Sequence, residues 1–303
     1  MPSNVTMKAL LETGVHFGHR TPKWNPRMEP YIFTERNGIH IIDLQQTLVN
    51  INNYYDQIRD LVSKGGTVLF VGTKRQAQET IATEATRCGM PYVNHRWLGG
   101  TLTNWRTIRD RIETLKKLEK RRDAGEFDLL TKKEGLVLSR KIEKLNLRLG
   151  GIRDMKKVAD MLLIVDTVRE STAVKEANIL HVPVLALADT NSDPQSIDFI
   201  IPANDDAVRA IKLVISAFAD AVIEGTAMRK SDDTDMNTAT SKDAAYFYDK
   251  DAEEEGSDEA YLGASTIAKM RDAKLLKMKK RQQKLPRHQQ RIQSRTWLSQ
   301  HKW

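Results

Sequence analysis

The feature that most constrains this chain is a set of short, continuously apolar runs separated by stretches of helical periodicity. Thr67-Val68-Leu69-Phe70-Val71, Met161–Asp166, Val182–Ala188 and Asp198–Ile201 are each strand-sized, and their uninterrupted apolar character marks strands buried on both faces. Between and after them, helices are expected around Lys74–Arg87, near Thr172–Leu180, and beyond Asn204 and Asp205, which can cap a helix carrying Val208, Ile211, Val214, Ile215 and Phe218. An earlier helix, Leu44–Val62, aligns Leu48, Ile51, Tyr55, Ile58 and Val62 on one face by steps of three and four. Buried strands alternating with helices specify an α/β fold, a Rossmann-like, doubly wound parallel sheet with helices on both sides.

From Thr101 to Gly151 the pattern changes to heptads. Trp105, Ile108, Ile112 and Leu115 form one stripe, and Leu138, Ile142, Leu145, Leu149 and Ile152 another. Ala124-Gly125-Glu126-Phe127 lies between them, so the segment over about 102–152 is expected to be an inserted antiparallel coiled-coil helical hairpin, an arm on the sheet domain.

Charge divides the chain further. The 303 residues carry a net charge of +8, which favours a polyanionic partner without naming one. Residues 231–260 hold eleven acidic residues against Lys242 and Lys250, whereas residues 266–303 hold twelve Lys or Arg against Asp272 alone. Three domains follow: an α/β body over 1–230 with a net charge of +6, an acidic disordered linker over 231–265, and a basic tail over 266–303. Thr266–Lys284 reads either as a cationic helix halted by Pro286 or as a polybasic segment that folds on contact. Lys277, Lys279, Lys280 and Arg281 are its candidate RNA contacts.

Several chemistries fail on composition or spacing. One cysteine, Cys88, excludes an intramolecular disulfide and a multi-cysteine zinc site. No run reaches membrane-span length, and the N-terminus has neither a secretory nor an arginine-rich targeting pattern, so a cytoplasmic protein is expected. Gly72-Thr73-Lys74-Arg75 follows a strand and opens a helix, as phosphate loops do, yet lacks both the Walker and the dinucleotide glycine spacing. Asp189-Thr190-Asn191-Ser192-Asp193-Pro194 begins like a calcium loop but puts Pro194 where glycine is required and Ile200 where a bidentate Glu is required. Turn-capping is the simpler use of those carboxylates. His16 and His19 could ligate a structural divalent metal if Asp189 or Asp205 approached them, although the fold requires no cofactor.

The densest informative segments mix cations, tryptophan, asparagine and glycine. His19-Arg20-Thr21-Pro22-Lys23-Trp24-Asn25-Pro26-Arg27 is one, and Asn94–Arg106 is the other. Arg and Lys neutralise phosphates, Trp stacks on unpaired bases, and Gly admits a close sugar-phosphate backbone. Trp105 sits in the first heptad and suits packing; for Trp24 and Trp97 stacking and packing both stay open. Candidate RNA contacts in the body are Arg20, Lys23, Trp24, Arg27, Lys74, Arg75, Arg96, Trp97, Asn104, Arg106, Lys132 and Lys133.

At these segments the chain resembles the bacterial-type second protein of the small ribosomal subunit. The resemblance runs from about Val5 to Gly225 through Gly14-Val15-His16-Phe17-Gly18-His19, Trp24-Asn25-Pro26, Leu69–Lys74, Asn94–Gly100, Leu102-Thr103-Asn104, Leu130–Glu134 and Asp189–Pro194. It implies a flavodoxin-like domain with a coiled-coil insertion and a non-catalytic role. It also implies binding to small-subunit rRNA, neighbouring small-subunit proteins as partners, and help in docking the mRNA-binding first protein of that subunit. Neither a membrane nor a small-molecule substrate is implied. The compartment implied is the ribosome of a bacterial cytoplasm, with organelle ribosomes the alternative. The long acidic and basic ends depart from the family pattern and leave their partner open, with rRNA favoured for the basic one. Two rivals remain: a nucleotide- or sugar-phosphate-binding enzyme using the loop after Val71 with Asp189 and Asp193, and a free adaptor that presents its arm to partners.

Overall fold

The structure is a computed structural model that describes residues 5–230. The proposed linker and basic tail, with Lys277, Lys279, Lys280 and Arg281, lie outside the described residues.

The chain opens with helix α1 (Met7–Thr13), whose cap Thr6 accepts a hydrogen bond from the Ala9 amide, and which stops at Gly14. Strands β1 (Phe17–Arg20), β2 (Ile32–Arg36) and β3 (Ile39–Ile42) then form an antiparallel sheet in the order β1-β3-β2. No apolar run announced this small sheet, because β2 is Ile-Phe-Thr-Glu-Arg with four of its five positions exposed. Helix α2 (Leu44–Ser63) follows, capped by Asp43.

The main sheet takes β4 (Val68–Val71), then helix α3 (Arg75–Cys88) and β5 (Tyr92–Val93). The arm interrupts it with α4 (Trp105–Asp123) and α5 (Lys132–Leu149). It resumes with β6 (Met161–Val165), α6 (Ser171–Ile179), β7 (Val184–Ala188), β8 (Phe199–Pro202) and a last helix, α7, over 208–230. The five strands are all parallel, in the order β5-β4-β6-β7-β8. Numbered within the sheet this is 2-1-3-4-5, the flavodoxin-like order, with its topological switch between β4 and β6.

Alternate residues of each strand feed two cores, as a doubly wound sheet requires. Phe70, Leu163, Val165, Leu185 and Ile201 pack with Ile51, Ile58, Ile81, Ile211 and Phe218 from α2, α3 and α7. Leu69, Val71, Leu162, Ile164 and Ala186 pack on the other face with Ala173, Val174 and Ala177 of α6. Ile108, Ile112 and Leu149 of the arm join this second core. Farther out the arm has its own small cluster, Leu115, Leu118 and Ile142, with Phe127 against it. Thr131 begins α5 with a capping box to Glu134. The expected hairpin is therefore present, with its turn at Ala124-Gly125.

Candidate nucleic-acid interface and the buried cluster beneath it

The carboxyl edge of the parallel sheet, where ligands sit in this topology, collects charge. Lys74 follows β4, Asp166 follows β6, Asp189 follows β7, and Asp205 and Asp206 follow β8. The Lys74 ammonium lies 2.7 Å from Asp205 Oδ1, 2.6 Å from Asp206 Oδ1 and 3.4 Å from Asp166 Oδ2. Burial works against its charge, but the hydrogen bonds to Asp205 and Asp206 prevail and its pKa is raised. Lys74, a candidate phosphate contact by sequence, thus directs its charge into the protein. Asp166 reaches the cluster from a left-handed backbone, φ 65°, a conformation that non-glycine residues rarely adopt.

β1 brings His19 to the same place. Its Nδ1 lies 2.7 Å from Asp189 Oδ2 and its amide donates to Thr190 Oγ1 at 2.9 Å. The close approach depends on Gly18, where a Cβ would stand 2.6 Å from the Thr190 methyl. The hydrogen bond that His19 donates to Asp189, with the charge of that carboxylate, raises the His19 pKa against the opposing effect of burial. Burial, reinforced by Asp189 and Asp166, pushes Asp205 up to about 7, with Lys74 pulling the other way. Among the described residues, Asp205 Oδ2 is buried without a hydrogen-bond partner, and His19, Asp205 and Asp206 can each bring a ligand atom within 4.8 Å of the others. Both carboxylates anticipated as partners of His19 are therefore near it. His16 is not part of the group; its ring packs on Phe17 with centroids 4.1 Å apart.

The other candidates divide by exposure. Arg20, Lys23, Arg75, Arg96, Arg106, Lys132 and Lys133 face solvent. Arg27 is also exposed but pairs with Asp193 at 2.7 Å. Trp24 is half-buried, its ring 5.0 Å from that of His40. Trp97 is only 8% exposed and donates its indole N–H to Glu176 at 3.0 Å, which resolves its open alternative as packing. Asn104 precedes α4 and accepts from the Thr107 hydroxyl at 2.8 Å. The Asn25 amide, bonded to the Thr190 carbonyl at 2.8 Å, ties the 19–27 segment to the loop after β7. Sequence inspection missed Glu176, Asp166 and Asp206. Glu176 had a visible signal: it shares the buried face of α6 with Ala173 and Ala177, where a carboxylate needs a dedicated partner.

The cationic surplus is not spread evenly. Segment 102–152 contains fourteen Lys or Arg against eight Asp or Glu, while the rest of residues 1–230 contains twenty of each. The whole surplus of the body therefore resides in the arm. On α5, Val137, Arg140, Lys141, Lys144, Leu145 and Arg148 line a shallow groove of about 410 Å³. Among the described residues, no helix is long and apolar enough to cross a membrane. The family model described as Ribosomal protein S2 matches residues 10–225, more than two thirds of the chain.

Proposed function

Starting from the fact that this chain belongs to the ribosomal protein S2 family, and is thus a structural protein of the small ribosomal subunit that works in translation, we propose that it holds small-subunit rRNA chiefly through its arm. The observation that carries this reading is the confinement of the body's net positive charge to residues 102–152. A surface of exposed Lys and Arg gains free energy by releasing counterions from a phosphate backbone, and A-form RNA is read mainly through its shape and backbone. Arg106, Lys132 and Lys133 on the arm would act with Arg20, Lys23 and Arg96 on the domain. Lys74 and Trp97 serve instead to order the protein itself.

The neighbours in this reading are other small-subunit proteins, including the mRNA-binding first protein, in a bacterial cytoplasm. No catalysis is assigned: the loop after β4 lacks a complete phosphate-binding glycine pattern, and its lysine is occupied by carboxylates. The unpartnered Asp205 Oδ2 favours one addition. His19, Asp205 and Asp206 would hold a structural divalent cation, with Asp189 orienting the imidazole from its far side. Such an ion would offset buried negative charge.

Sedimentation of a cell extract through a sucrose gradient tests the principal reading. Co-migration with small subunits that survives a moderate-salt wash is the expected result. A pool confined to the light fractions would reject it and favour the adaptor.

A further inference from the structure

The arm leaves the sheet domain just after Gly99-Gly100 and returns through Gly150-Gly151. Paired glycines at both roots would let an arm swing, yet each root is held. At the returning root a Cβ on Gly151 would stand 2.2 Å from the Tyr92 carbonyl oxygen, so the bare backbone packs directly on β5. At the departing root Leu102, Ile108 and Ile112 pack into the second core, and the polar hold comes from one side chain, Glu176 of α6, only 6% exposed. Its Oε1 accepts from the Trp97 indole at 3.0 Å and the Gly100 amide at 2.7 Å. Its Oε2 accepts from the Leu102 amide at 3.0 Å and from the Thr103 amide and hydroxyl, each at 3.2 Å. Burial opposes the charge, but the Trp97 bond and the amides of Leu102, Gly100 and Thr103 outweigh it and lower the Glu176 pKa.

We propose that Glu176 positions the arm: its carboxylate gathers segment 97–103 and thereby sets the direction in which α4 leaves the domain. A carboxylate suits this task because it accepts on two oxygens and donates nothing. An apolar residue there would strand the donors, and an amide would turn an N–H toward one of the two groups of donors. α6 itself packs through Ala173, Val174 and Ala177, so its seat on the sheet does not depend on Glu176. The functional importance of this rests on the reading that the arm engages rRNA, since a cationic surface on an ill-directed arm meets its phosphates less often.

Distances between spin labels test the proposal in the full chain. With Cys88→Ala as background, labels go at Glu79→Cys on α3 and Asp128→Cys at the arm tip, both exposed. The parent protein should give one narrow distance distribution. Glu176→Gln should at least double its width. Glu170→Gln, which alters a buried glutamate bonded to Thr73 and away from the arm, should leave it narrow. If Glu176→Gln does not fold, Trp97→Phe and Thr103→Val each remove one side-chain donor and should broaden the distribution by a smaller amount. A distribution as narrow in these variants as in the Glu170→Gln control overturns the proposal. Incorporation into small subunits is measured on the same samples. Broadening with several-fold weaker incorporation supports both claims, whereas broadening with undiminished incorporation leaves Glu176 as the positioning residue and overturns the arm's role in RNA binding.

Discussion

The sheet domain and the arm are two solutions to folding within one chain. The domain buries β4, β6 and β7 completely and balances twenty cations with twenty anions. Beyond its base the arm relies on Leu115, Leu118 and Ile142, and it leaves Leu129, Leu136, Val137 and Leu147 in solvent amid a surplus of six positive charges. Like charges on a thinly packed hairpin repel one another and weaken it. The comparison teaches that the domain is stabilised by its own packing and charge balance, whereas the arm carries a charge surplus that rRNA would offset in the proposed reading.

Core truncations test that contrast with the largest effects. Phe70→Ala, at a wholly buried position in β4, should cost about 3–5 kcal/mol and lower the melting of the entire domain in calorimetry. Leu115→Ala should cost about 2–5 kcal/mol as a core truncation, but within the arm. Native-state hydrogen exchange should then show α4 and α5 losing protection while β6 and β7 keep theirs. Equal loss of protection in the sheet would show that the two regions fold as one unit.

The buried cluster yields a smaller effect, with a defined sign. Asp205 has a folded pKa of about 7, above the ordinary carboxylate value, so the folded protein retains a proton there that the unfolded chain releases. Its contribution therefore falls as pH rises from about 4 to 7. The raised His19 pKa acts in the same direction, through stability present below the unfolded value and lost as pH rises through the folded one. In metal-free buffer, Asp205→Asn should flatten the decline in urea midpoint across that interval. An unchanged slope would remove Asp205 as its source. The smallest effect belongs to the exposed Arg27–Asp193 pair: Asp193→Ala should change stability by no more than about 1 kcal/mol, checked by urea unfolding.

The same contrast explains what could be read from sequence. Buried parallel strands and heptads are periodic, so β4, β6, β7 and β8 emerged within a few residues of their observed limits, and the two arm helices as apolar stripes on either side of the Ala124-Gly125 turn. β5 has two residues and β2 exposes most of its side chains, so neither produces a recognisable pattern. The site was legible in residue type more than in role. His19, Lys74, Asp189 and Asp205 stood out individually, but the convergence of loops from β4, β6, β7 and β8 depends on strand order. Strand order is long-range information, and it is what turned Lys74 from a surface cation into a partner of three carboxylates.

The most direct test of the central claim is the salt dependence of binding between the full chain and isolated small-subunit rRNA. One variant carries Arg140→Ala, Lys141→Ala and Lys144→Ala on the arm; the other carries Lys64→Ala, Lys175→Ala and Lys212→Ala on exposed positions of the domain. Each phosphate contact contributes roughly 0.7–0.9 to the slope of log affinity against log salt. The arm variant should lose about 2 units of slope if all three cations touch phosphate, and the domain variant should match the parent protein. A domain variant that loses slope while the arm variant keeps it would contradict the account.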